Sequence, residues 1–543
     1  MDRRGRLSFT GMRRQNARRP RYSAPVQRNG VFVFAIAFVI AVGVVRVAST
    51  HRVFSEVLDE PAHIACGYDW LEGVPYTIDP THPPLERLLS ALPAYFQRVP
   101  LLNDPNFIAR GNNILYFKDD YVHNLAAARR GNLLFFIIAA MSVAWWAWRT
   151  LGGAVALIAV ALFTYLPPIL GHAGVATTDM AAAAGVTLAV VTLDWYLSSR
   201  TLWRAFVLGL AIGLGLLTKF SFVLFFPIAA VIVMIVRRAV PSARSLATLG
   251  MTAILIVWAG YRFDFDTIAH AQKDGEWLMA QVGPKWIAHV PMPAPLFVAG
   301  AAMVRLHDRE GHFTYLLGKT STHGWWYYFP VVFFFKTPLP FLILALIGIA
   351  MCLTRAPAVA LIPIALMLVV LPSSINIGIR HILPIYPPLC IAAAVALVAF
   401  WQSISMRAVA VLLAAWMFIG VERAHPDYLA WFNEAAGEHP EEIAVDSNLD
   451  WGQDVLRLAR TVKTLGIQRF SILYTGNALL ERHALAADAI QPWVEAPGWY
   501  VLSETGLALN PDARRGAYKW LDAYRVRRIG KSMRLIHVPA LAQ

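Results

Sequence analysis

The chain is short of cysteine, short of charge, and empty of nucleotide-binding or hydrolase signatures. Its 543 residues hold three cysteines, Cys66, Cys352 and Cys390. Cys352 and Cys390 fall in apolar stretches, and no disulfide framework or zinc spacing can be built from the three. Charged residues are 15% of the chain, against roughly 25% in soluble proteins. That deficit, with 57% hydrophobic residues, points away from a water-soluble enzyme and toward a polytopic α-helical membrane protein. No HExxH, P-loop, GxGxxG or GxSxG context is present, which removes the nucleotide and serine-hydrolase readings that rest on them. No repeat at solenoid spacing and no low-complexity tract occurs.

What is present is an excess of base, and its placement is informative. Forty-eight Lys and Arg face 34 Asp and Glu, a formal charge of +14. Nine arginines against one aspartate lie in the first thirty residues. Beside a hydrophobic span, residues 1–30 read as a basic cytoplasmic tail facing anionic lipid, and not as a nucleic-acid arm. The apolar stretch 31–48 is too long for the core of a signal peptide and lacks a small-residue cleavage site, so it reads as an anchor.

A bilayer core takes about 20 apolar residues per helix. Windows of that size predict about 11 transmembrane helices, near 31–49, 132–148, 153–170, 180–197, 203–217, 221–236, 246–262, 329–353, 357–373, 383–401 and 407–421. With the tail inside, the inner turns carry Arg149, Arg200, Arg204, Arg237, Arg238, Arg244, Arg355 and Arg407, and no acid. This agreement with the positive-inside rule predicts a cytoplasmic N-terminus and an extracytoplasmic C-terminus. The expected organisation is a tail (1–30), a membrane domain (31–421) with large outer loops 50–131 and 263–328, and a small extracytoplasmic α/β domain (422–543). In the first loop, Leu85, Leu88, Leu89 and Leu92 follow Pro83-Pro84 at helical spacing and predict a helix lying in the interface. Residues 295–306 predict a short surface or re-entrant helix. In the C-terminal part, 443–446, 470–474 and 499–502 read as strands, and a helix is expected from near Asn448 or Asp450 to Leu465.

On this topology Asp59, Glu60, His63, His82, Glu86, Asp179, Lys219, His323, Arg380 and His381 all fall at the outer side. Each has an ordinary explanation. Asp59 and Glu60 suit a solvated loop, Asp179 suits a helix N-terminus, and Lys219 and Lys336 suit snorkelling ends. His82 and Glu86, spaced i,i+4, suit either a metal or a helix start. Convergence on one face nonetheless argues for a single outer site, since polar groups at membrane depth are costly. Carboxylates beside cations at a water–lipid boundary suit glycosyl transfer from a polyprenyl phosphate. A carboxylate takes the acceptor hydroxyl's proton, and cations hold the departing phosphate. The competing reading is a transporter or flippase of a lipid-linked sugar, which would show paired repeats and a midplane site.

Several segments carry a family resemblance. They are Asp59-Glu60-Pro61-Ala62-His63; 79–86 (Asp79 to Glu86); 176–179; 217–221; 324–330; 335–340; Gly378-Ile379-Arg380-His381; 425–434; and Asp446 to Asp454. Their order resembles the GT-C fold membrane glycosyltransferases of the protein O-mannosyltransferase and lipid A aminoarabinose transferase superfamily, in a bacterial subgroup. The resemblance covers about residues 31–475. It implies an inverting, polyprenyl-phosphate-sugar-dependent transferase in the bacterial inner membrane, acting on an extracytoplasmic hydroxyl of protein, lipid A or an envelope glycan. It implies that Asp59 is the base with Glu60 in support, and that Asp179 helps form the acceptor site. Lys219, Arg380, His381 and Lys336 would hold the donor phosphate. Some members bind a divalent metal ion near the first loop and others do not, so His82 and Glu86 are the ligand candidates. The motif from Asp450 to Asp454 reads either as an acceptor-binding loop or, by preference, as a helix cap.

Overall fold

The computed structural model describes residues 26–540, so most of the basic tail lies outside the described residues. Long apolar runs become helices because a buried or lipid-facing backbone must satisfy its own N–H and C=O groups. Among the described residues, six helices are long and apolar enough to cross a membrane: Gly30–Ala48, Tyr121–Leu151, Thr178–Ser198, Ala243–Gly260, Ile379–Gln402 and Ile404–Ala424. Two bent pairs add up to two more, and Leu202–Leu216, Ser221–Arg237 and Pro357–Val370 are shorter apolar helices. Every window read from the sequence lands on one of these helices or pairs.

The helices are of two kinds. Thr178–Ser198 is packed almost wholly inside the bundle, whereas Gly30–Ala48 and Ile404–Ala424 leave most of their apolar surface open. Phe34, Phe38, Leu412 and Phe418 all point outward from these helices. Contiguous outward apolar surface of that kind marks a lipid-facing wall. The protein is a membrane protein.

Two windows differ from straight spans. Gly153–Phe163 and Pro167–Ala173 meet at 64°, and Tyr328–Lys336 and Leu339–Arg355 meet at 116°. The second break falls at Thr337-Pro338-Leu339-Pro340, where proline removes backbone donors and clashes with the preceding turn. The helix expected from 132 starts at Tyr121, so the segment between the first and second spans is shorter than the sequence indicates. That segment is itself largely helical, with Glu60–Leu71, Pro84–Phe96 and Phe107–Leu115. Gly67 makes it compact: a Cβ there would stand 1.9 Å from the Arg87 carbonyl oxygen, so only glycine lets the first two helices touch.

Pro84–Phe96 matches the expected helix within a residue, but its orientation inverts the usual amphipathic rule. Its polar residues Glu86, Arg87 and Ser90 are buried against the protein, while the leucine stripe is only half-buried. The short helix expected at 295–306 is Pro295–Glu310.

The C-terminal part holds a five-stranded sheet in the order Ala487–Ala489, Phe470–Leu473, Gly498–Ser503, Met533–Val538, Val526–Ile529. The first three strands are parallel and the last two pairings antiparallel. Two expectations fail here. Residues 443–446 form no strand; the segment runs through 3₁₀ turns at Pro440–Glu442 and Asp446–Asn448. Its apolar residues Ile443 and Ala444 are buried against the helical bundle, so their pattern reflected burial and not pairing. The helix starts at Val455, not at Asn448 or Asp450. Asp450 spends its carboxylate on the Gly452 N–H and on the Thr505 N–H in the first turn of Glu504–Leu509, and does not cap the helix that follows it in the chain.

Candidate active site

Four segments far apart in sequence bring their charged residues to one place. Asp59 stands at the N-cap of Glu60–Leu71, and its side chain caps nothing. Asp179 is in the first turn of Thr178–Ser198. Lys219 lies in the break between Leu202–Leu216 and Ser221–Arg237, and Arg380 opens the segment Ile379–Gln402. Arg380 Nη1 donates to Asp59 Oδ2 at 2.7 Å and lies 3.7 Å from Asp179 Oδ2. Lys219 Nζ donates to Asp179 Oδ1 at 2.5 Å, and the Thr177 hydroxyl donates to Asp179 Oδ2 at 3.1 Å. Asp179, Arg380 and Lys219 are 1, 7 and 11% exposed at the side chain, whereas Asp59 is 28% exposed. Asp59 is therefore the member of the four that a solvent-borne group can reach.

The C-terminal part builds one wall. The Arg380 guanidinium stacks on the buried Trp451 at 4.3 Å, which holds the cation in place on a π face. Asn448 Oδ1 accepts from the Ile379 N–H at 3.0 Å and its amide donates to the Tyr328 hydroxyl at 3.1 Å. Gly378 sits at φ +150°, where a Cβ would stand 2.1 Å from Ser447 Oγ, so glycine alone lets this loop come so close. Asp446, in the left-handed region at φ +57°, is pushed up to about 6 by burial; Arg380 opposes the shift and Asp59 adds to it. Asp446 and Trp451 are members of this site that the sequence offered only as parts of a motif.

Beneath Asp59 lies a second, buried network. Arg87, fully buried, donates to His63 Nδ1 at 2.9 Å and to the Tyr76 hydroxyl at 2.9 Å, and pairs with the Asp79 carboxylate. Burial, and then Arg87, pushes His63 down to about 3, so its ring is neutral at physiological pH. Burial works to raise Asp79, and Arg87 outweighs it, holding the carboxyl below the usual carboxylate range. The sequence pointed to His63 but not to Arg87, whose charge inside a leucine-rich helix was the available signal.

Some expected site residues do other work. Glu60 is fully buried and turned from the cluster. Its carboxylate accepts from Arg129 Nε and Nη2 at 2.8 Å each, and from the Val57 and Ala176 N–H groups at 2.8 Å. It ties the helix Glu60–Leu71 to Tyr121–Leu151 and to the segment leading into Thr178–Ser198, and anchors Asp59 from the next position. Lys336 departs from the phosphate-holding expectation. Its ammonium, at the end of the broken helix, donates to the Leu429 and Asn448 carbonyls at 2.7 and 2.6 Å and faces the Phe432 ring. His381 is half-buried beside the cluster with its Nε2 buried and unpartnered, and Arg380 Nε is likewise without a partner.

His82 and Glu86 do not fit a metal. His82 Nδ1 contacts the Thr81 hydroxyl and the Arg87 guanidinium, and Glu86 accepts from Ser90 at 2.5 Å. Burial pushes Glu86 up to about 7, and the neighbouring fixed charge is the cation Arg87. Among the described residues no group of three or more His, Cys, Asp or Glu side chains is placed to hold an ion.

No family model and no curated protein matches the chain. Solved structures do. ArnT from Cupriavidus metallidurans bound to undecaprenyl phosphate is similar over 96% of this chain and 100% of its own, at 15% identity and a TM-score of 0.48. The apo state of the same protein covers 94% and 98%, at 13% identity and 0.49. The archaeal oligosaccharyltransferase AglB from Archaeoglobus fulgidus, in complex with an inhibitory peptide and a dolichol-phosphate, covers 95% of this chain and 75% of its own, at 11% identity and 0.49.

Proposed function

We propose that the protein is an inverting glycosyltransferase that moves a sugar from a polyprenyl-phosphate donor to an extracytoplasmic hydroxyl. The observation that carries this is the meeting of Asp59, Asp179, Lys219 and Arg380. If each helix or bent pair crosses once, from a cytoplasmic N-terminus, all four lie at outer helix ends, where lipid and water meet. Eleven crossings then place the C-terminal α/β part outside the bacterial inner membrane.

The chemistry follows from the charges. Asp59, the most open of the four, accepts the proton of the acceptor hydroxyl as its oxygen attacks the anomeric carbon. The C–O bond to the donor phosphate breaks, and both bonding electrons leave with the phosphate oxygen. The products are the glycosylated acceptor and a polyprenyl phosphate, with the proton on Asp59. A phosphate is a weak base, so the leaving group calls for charge stabilisation and no general acid. Arg380 and Lys219 supply it. Arg380 Nε has no partner, and the Lys219 ammonium has donors beyond its bond to Asp179. His381 Nε2 offers a further buried polar atom at the same wall. Asp179 holds the two cations together. Glu60 positions Asp59 through the backbone and takes no proton, because Arg129 already pairs with it.

The test is to incubate the purified protein with the lipid-linked sugars and with the envelope proteins, lipids and glycans extracted from its own host, and to follow both products by mass spectrometry. Free polyprenyl phosphate and a sugar-bearing acceptor should appear together. A flippase would leave every sugar on its lipid, and that result would reject the transferase reading.

A further inference from the structure

Beside the cluster lies a cavity of about 940 Å³, walled by residues 272–278 and 303–313. That is at the upper end of the roughly 300–1,000 Å³ range of small-ligand sites. Its rim is tied to the cluster. Asp308 accepts from Ser373 Oγ and the Ser374 N–H at 2.9 and 3.0 Å, and Thr314 donates to the Asn376 carbonyl. These bonds fasten the cavity wall to the loop that runs directly into Gly378 and Arg380. Burial, then His307 and then Arg380, hold the His312 ring below its ordinary range, while Asp59 acts on it in the opposite sense.

The lining is amphipathic in a particular way. Trp277 is 56% exposed and lines the cavity, an unused aromatic face. Gln272, only 7% exposed, also lines it, and its side-chain carbonyl oxygen has no partner. Asp274 precedes Gly275–Val282 and its carboxylate caps nothing. His307 Nε2 and His312 Nδ1 share one hydrogen bond at 3.1 Å, which leaves the other nitrogen of each ring free.

We infer that this cavity is the acceptor subsite and that the acceptor is a carbohydrate. Trp277 would be its stacking platform, and Gln272, Asp274 and the His307–His312 pair its hydroxyl partners. This rests on the transfer reaction proposed above only for its direction, acceptor to Asp59. A sugar ring has an apolar C–H face and an edge dense in hydroxyls. The face packs on the negative face of an indole, and the hydroxyls satisfy both donors and acceptors. Leu278, Met303, Leu306 and Phe313 complete an apolar side of the wall, but a lipid chain would leave the buried Gln272 oxygen unsatisfied.

The test uses the full-length protein in detergent micelles and saturation-transfer NMR with three probes: maltotetraose, chitotetraose and tetragalacturonic acid. At least one should bind the wild type. Trp277→Ala and Gln272→Leu should each weaken that binding tenfold or more, and Trp277→Phe should restore most of it. Asp59→Asn should bind the same probe as the wild type does. The proposal is overturned if none of the three binds. It is also overturned if the Trp277 and Gln272 variants bind as the wild type, or if Trp277→Ala alters only partition into lipid vesicles. Should Asp59→Asn still transfer sugar, the base assignment falls while the binding result stands by itself.

Discussion

Arg380 and Asp59 are 321 positions apart in the chain, yet Nη1 of one stands 2.7 Å from Oδ2 of the other. The pair joins the first outer segment to the start of a late helix, and it lies within reach of Asp179. Its cation rests on Trp451, from the C-terminal part. In the proposed reaction, the cation exchanges the carboxylate for the donor phosphate, which frees the carboxylate to take a proton.

Asp59→Asn should therefore abolish turnover while leaving the fold intact. Loss of a general base costs about 10²–10⁴ in rate, and Asp59 is partly open and outside every apolar core cluster. A transfer assay run beside a thermal melt checks both halves. Turnover within tenfold of the wild type at an unchanged melting temperature would remove Asp59 from the role.

Lys219→Ala should fail differently. It leaves the buried Asp179 with one cation fewer, and breaking a buried pair costs about 3–5 kcal/mol. The double variant Asp179→Asn, Lys219→Met removes both charges and should regain much of that stability without regaining transfer. Melting temperature and sugar release, measured on the same samples, separate the two effects. Activity in the double variant would place the phosphate contact elsewhere.

Glu60→Gln should read as a stability variant. Removing the charge leaves Arg129 buried and half-satisfied, with a loss of about 3–5 kcal/mol. Reduced yield and a lowered melting point are expected, with kcat of the surviving folded fraction near that of the wild type. A folded, stable Glu60→Gln protein with no turnover would contradict this.

Glu56 supplies a pH dependence. It is fully buried beside the Tyr121 hydroxyl. Burial pushes it up to about 8 from an ordinary 4.5. The folded state then binds more protons than the unfolded chain between those values. Its contribution to stability is complete below about pH 4.5 and is lost as pH rises through about 8. Melting curves of the wild type and Glu56→Gln at pH 6 and 9 should show a steeper alkaline loss in the wild type. Parallel loss in both would assign it to another group.

Much of this was legible in the chain, for reasons that can be named. The apolar windows were visible because lipid demands long uninterrupted runs. Asp59, Asp179, Lys219 and Arg380 stood out because charge at a span's edge is expensive. The errors fell where a local pattern has two causes. Ile443 and Ala444 open a short apolar run like that of a strand but are buried against helices. Asp450 precedes a helix but bonds to Thr505. Lys336 sits like a phosphate-holding cation but is absorbed by two carbonyls, because the Pro338 break turns its helix end toward the C-terminal loop.

Hydropathy and charge along the chain are enough to put it in a bilayer, to mark its apolar spans, and to single out the charged residues at their edges. Hydropathy and charge are sums over neighbours in the chain, so they survive without coordinates. That Glu60 turns inward to Arg129 while Asp59, one residue earlier, faces Arg380 follows from the folded chain alone. So does the placement of Trp451 and Asp446 at the candidate site, and the cavity walled by 272–278 and 303–313. Those facts depend on a helix start, a proline break and a glycine contact that aim side chains across hundreds of positions, and no local pattern encodes that direction.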